Sequence, residues 1–95
     1  MPYVNATKLA GIYARLLNVL EKESFINEAA NDFIGFVREG KPIVLAVTEN
    51  ENSIDRLIKF VEIVNRMDDD VFFSKTHEHE ITKCLNELYD YLQVV

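Results

Sequence analysis

The stretch Pro42-Ile43-Val44-Leu45-Ala46-Val47-Thr48 decides how the chain is read. It is short, apolar and rich in β-branched residues, and the polar run Glu49-Asn50-Glu51-Asn52-Ser53 follows it. Those features predict a strand near residues 43–48, buried on both faces. The competing reading places Pro42 at the first position of a helix that continues to Met67. Ile43, Val47, Asn50, Ile54, Ile58 and Val61 then fall on one stripe. The Asn and Ser residues in the middle of that span have poor helix propensity, which favours the strand.

Upstream, Gly40-Lys41-Pro42 is a helix-breaking sequence and closes a helix expected from a Ser24 cap to about Glu39. Before it, Leu9, Ile12, Tyr13, Leu16 and Leu20 recur at helical spacing behind a cap at Asn5 or Thr7, and the pattern stops near Lys22. Downstream, Ser53 caps a third helix whose inner face is Ile54, Leu57, Ile58, Val61, Val64 and Met67. Asp68-Asp69-Asp70 ends it. Val71-Phe72-Phe73-Ser74 is the second strand candidate, and Thr76 caps a last helix carrying Ile81, Leu85, Leu88 and Leu92. The expected fold is helix-dominated α+β, in the order α-α-β-α-β-α, with a small parallel two-stranded element in a right-handed βαβ unit. An all-α bundle is the alternative.

Ninety-five residues make one small domain, residues 1–95, with no internal repeat or linker. Nearly half the residues are apolar and 27% are charged, a folding composition. The longest apolar run is far short of the ~20 residues that span a bilayer, and no charged-then-apolar leader opens the chain. One cysteine, Cys84, fits a reducing, cytoplasmic setting. The formal charge of -6 argues against a surface built to neutralise phosphates. Residues 1–48 balance five acids against five bases, so the whole excess sits in the second half.

Motifs for chemistry are sparse. His77-Glu78-His79-Glu80 places its histidines two apart, where a helix points them in different directions, unlike the His-Glu-x-x-His zinc arrangement. Cys84 continues the apolar stripe of Ile81, Leu85 and Leu88 and reads as a small core residue. No metal site and no cofactor are expected. An EF-hand loop from Asp68 fails, because Phe73 stands where glycine is required and His79 where Glu is required. With no nucleophile elbow and no Gly-rich phosphate loop, no catalytic residue is assigned.

Two function classes remain. The first is a small, non-catalytic interaction module of regulator or inhibitor type, binding a basic surface on a macromolecular partner. Its contacts would be Glu49, Glu51, Asp68, Asp69 and Asp70. DNA mimicry is a weak form of this, since the ten bases interrupt the anionic surface. The helices at 24–39 and 54–67 are apolar over most of their girth, so a homodimer or higher homo-oligomer is expected. The second class is a small-molecule or anion-binding module, or minimal enzyme, at the strand ends. It would use Thr48, Asn50, Asn52 and Ser53 after the first strand, with Ser74, Lys75, Thr76 and His77 after the second.

Overall fold

A computed structural model describes residues 6–50 and 53–93. Among them the chain forms five α-helices and one short 3₁₀ turn, and no strand. The helices are α1 (Ala6–Ser24), α2 (Asn31–Glu39), α3 (Lys41–Glu49), α4 (Ile54–Asp68) and α5 (Glu78–Gln93), and the 3₁₀ turn is Glu28–Ala30. The architecture is all-α, which overturns the α+β expectation in favour of its alternative.

Residues 43–48 are helical because one face of that segment is buried, not two. Val44 and Val47 are buried, Ile43 and Ala46 are half-buried, and Leu45 is 50% exposed. Intrinsic propensity disfavours Val and Ile in a helix by only a few tenths of a kcal/mol each. Burying a Val side chain is worth roughly 1.5–3 kcal/mol, so packing decides the outcome. Pro42 fits because it lies in the first turn, where its missing N–H breaks no intrahelical bond. Nor does one helix run from Pro42 to Met67. Asn50 is extended, with φ −148° and ψ 108°, and α4 starts afresh after Ser53.

The second expected strand, 71–74, has no regular structure. Phe73 packs its ring against Phe33, with centroids 5.7 Å apart, while Phe72 is 90% exposed. This alternation resembles a strand, yet the backbone pairs with side chains. Asn27 Nδ2 donates to the Phe72 carbonyl at 2.8 Å, and the Ser74 N–H donates to Glu23 Oε2 at 2.6 Å.

The other boundaries shift less. Ser24 does not cap a second helix; it is the last residue of α1, and its hydroxyl donates back to the Glu21 carbonyl at 2.6 Å. The second helix therefore begins at Asn31. Gly40 joins α2 to α3 in a right-handed conformation, φ −74° and ψ −3°, so it is not a left-handed stop. Its role is spatial: a Cβ there would clash with the tip of the Phe60 ring, which itself stacks on Phe36 at 5.2 Å. Thr76 lies exposed in the turn before α5, where the Glu78 N–H bonds the Ser74 carbonyl at 2.8 Å. The Asn5 cap lies outside the described residues, as does the side chain of Leu92.

One apolar core runs through all five helices. On one side α1 packs along α5, α2 and α3; on the other, α4 packs on α2, α3 and α5. The Tyr13 hydroxyl ties α1 to the end of α2 by donating to the Val37 carbonyl at 2.6 Å, and burial pushes its pKa up to about 12. No helix among the described residues is long and apolar enough to cross a membrane.

Candidate functional site

The buried face of α1 continues from Leu16, Val19 and Leu20 to Glu23, which is 0% exposed. Four hydrogen bonds meet its carboxylate. Oε2 accepts from Asn27 Nδ2 at 2.9 Å and from the Ser74 N–H at 2.6 Å. Oε1 accepts from the Ser74 hydroxyl at 2.5 Å and from His77 Nδ1 at 2.8 Å. Burial alone would raise the pKa of this carboxyl. The bonds from Asn27, Ser74 and His77 outweigh it and bring the value down to about 2. An ionised carboxylate only accepts, so His77 Nδ1 carries a hydrogen.

Serine, histidine and glutamate so close together invite a comparison with hydrolytic triads, and the geometry is different. In a triad the acid and the nucleophile address opposite ring nitrogens of the histidine. Here Ser74 Oγ and His77 Nδ1 both bond the same carboxylate oxygen, and Oγ lies 3.5 Å from that same Nδ1. The serine hydroxyl donates to a carboxylate of pKa about 2, a weak base. The arrangement is a brace that fixes the α4–α5 connection against the end of α1.

What it braces is an apolar edge. Phe25 is 79% exposed and Ile26 60%, in the turn that follows α1. Phe72, 90% exposed, sits on the segment bonded to Asn27 and Glu23. Asp69 and Asp70 are exposed just before that segment, and Lys22 and Lys75 are the exposed cations that flank it in sequence.

The acidic residues expected to contact a partner are dispersed. Glu49 is exposed at the end of α3. Asp68 is half-buried at the end of α4; burial raises its pKa, the Asp69 charge adds to this, and the Tyr89 hydroxyl opposes it. That hydroxyl is itself buried outside hydrogen-bonding geometry, and its pKa is raised by burial and by the charges of Asp68 and Asp69. Glu49 and the Asp68–Asp70 group bracket α4, about 20 Å apart at 1.5 Å rise per residue. Glu51 lies outside the described residues.

The strand-end anion site loses its geometric basis, because the described residues contain no strand. Thr48 is within α3 and donates to the Leu45 carbonyl at 2.6 Å, while Asn50 and Ser53 belong to the α3–α4 turn. α3 does not pack on α5. Ser74 and His77 are engaged by an anion the chain already supplies, Glu23, and Lys75 and Thr76 are exposed. Asn52 lies outside the described residues. His79 is exposed, and Cys84 is buried in the core, where burial pushes its thiol pKa up.

Glu23 and Asn27 were legible as a signal that the apolar pattern obscures. Glu23 lies three residues after Leu20 and four after Val19, on the inward stripe, so it is a buried charge in need of partners. Comparison with known proteins yields no match, whether to a protein family, to a curated protein or to a solved structure.

Proposed function

We propose that the protein is a non-catalytic protein-binding module of regulator or inhibitor type. Its partner presents an apolar pocket rimmed by Arg or Lys. The observation that carries this reading is the edge of Phe25, Ile26 and Phe72, exposed to solvent yet mounted on segments clamped by Glu23. Interface energy concentrates in a few aromatic anchors, and anchors held rigid lose less entropy when they bind. Asp69 and Asp70 supply an acidic rim next to Phe72 in sequence, with Glu49 as a more distant charge. Rim charges of that kind mainly set orientation and association rate.

The homo-oligomer expectation no longer has one continuous apolar helix at 24–39 to draw on, because α1 ends at Ser24 and α2 begins at Asn31. It rests on the surplus apolar surface at this edge and at Leu45 and Ile63. The test is a comparison of immobilised wild type with Phe72→Asp and with Asp69→Asn/Asp70→Asn, in native-host lysate and then with the purified partner. The reading requires a partner that Phe72→Asp loses while keeping its helical circular dichroism. Asp69→Asn/Asp70→Asn should slow association more at low salt than at high salt. A partner bound equally by all three proteins would refute this use of the edge.

A further inference from the structure

A concave surface lies between α1 and α3, a groove of about 600 Å³. Ala10, Ala14 and Leu17 of α1 and Leu45 of α3 give it an apolar lining, which Arg38 and Lys41 share. Ala10 and Ala14 are exposed and Leu45 is half-exposed, so the groove is open to solvent. None of the residues of the Phe25–Phe72 edge lines it, and the inference is independent of the protein-binding reading.

The groove's charges say what would fit. The protein as a whole carries -6, yet this site gathers two cations. Neither Arg38 nor Lys41 forms an ion pair among the described residues. Their backbone is held against α1, since the Tyr13 hydroxyl bonds the Val37 carbonyl and lies 3.4 Å from that of Arg38. The groove's carboxylate is Glu21, so its lining carries two positive charges against one negative and keeps a net attraction for one anionic head. The volume is in the range of small-molecule sites, roughly 300–1,000 Å³. Along α1 the apolar lining from Ala10 to Leu17 extends about 10 Å at 1.5 Å rise per residue, which covers the larger part of a dodecanoate chain.

We propose that the α1–α3 groove binds a free fatty acid, its aliphatic chain along Ala10, Ala14, Leu17 and Leu45 and its carboxylate between Arg38 and Lys41. The head is recognised by charge-assisted hydrogen bonds from the guanidinium and the ammonium, and the chain by apolar burial.

The experiment titrates the full chain with dodecanoate below its micellar concentration, followed by amide chemical shifts and by calorimetry. Shifts should concentrate on residues lining the groove, with micromolar affinity. Arg38→Gln/Lys41→Gln should weaken dodecanoate about tenfold, and dodecyltrimethylammonium, with the same chain and the opposite charge, should bind at least that much more weakly than dodecanoate. Ala14→Trp fills the groove from an exposed helix position and should abolish binding without loss of fold. Equal binding of the two amphiphiles, unchanged affinity in the Gln variant, or shifts centred on Phe25 and Phe72 would each overturn the assignment.

Discussion

Replacing Glu23 tests whether one buried carboxylate holds the α4–α5 connection in place. In Glu23→Ala the Ser74 N–H and hydroxyl, Asn27 Nδ2 and His77 Nδ1 all lose their acceptor. Removing one partner of a buried ionic cluster costs about 3–5 kcal/mol, a large fraction of the roughly 5–15 kcal/mol that stabilises a small domain. The melting temperature should fall by about 15–25 °C. Glu23→Gln is milder. Its amide oxygen can still accept from Ser74 N–H and Asn27, while its NH₂ can donate to the Ser74 hydroxyl and to His77 in its other tautomer. It should cost about 1–2 kcal/mol.

The two proteins should also differ in acid. A Glu23 carboxyl brought down to about 2 from 4.5 contributes about 3 kcal/mol at roughly 1.4 kcal/mol per pKa unit. Because the folded value is the lower one, that contribution is complete above the unfolded pKa. It is lost as pH falls towards the folded pKa. Urea unfolding followed by far-UV circular dichroism at pH 5 and at pH 3 keeps both points below the ordinary imidazole range. Between them the stability of wild type relative to Glu23→Gln should fall by about 2 kcal/mol, enough to cancel its advantage or reverse the order. A Glu23→Ala cost below about 1 kcal/mol, or a wild-type advantage identical at the two pH values, would refute the brace.

Gly40→Ala should destabilise by about 1–3 kcal/mol in thermal melts despite its right-handed backbone, because the added methyl meets the buried Phe60 ring. A paired Phe60→Leu should recover part of that loss. Tyr13→Phe should cost only about 1 kcal/mol in urea unfolding, since the Val37 carbonyl keeps its bond from the Gly40 N–H. Light scattering of the wild type should report a dimer or larger at micromolar concentration, with Phe72→Asp shifted towards monomer; a wild-type monomer throughout would end the oligomer proposal. Dialysed protein should hold no stoichiometric zinc, and zinc that persists in wild type but vanishes in His77→Ala would reverse that expectation.

A clamped edge explains why this small fold tolerates a buried charge. Four hydrogen bonds converging on Glu23 compensate the burial of its charge. The segment 69–77 thereby gains order without joining a helix. Solvent-exposed Phe72 is then presented from a defined backbone, with its carbonyl bonded to Asn27.

The helical period alone located α1, α4 and α5 and most of the core, because Leu9, Ile12, Leu16, Leu57, Val61, Val64, Ile81 and Leu85 repeat every three or four residues and all are buried. Composition likewise determined the charge asymmetry and the absence of a long apolar span. Residues 43–48 were undetermined locally: six apolar and β-branched positions satisfy a strand or a helix, and only burial of Val44 and Val47 against neighbouring helices selects one. The same holds for Gly40, whose need for no side chain comes from Phe60, twenty residues away in sequence. Ser74 and His77 lie 51 and 54 residues from Glu23, and no local pattern pairs them. Periodicity records which residues turn inward, but which buried polar groups meet there is decided by how the helices cross.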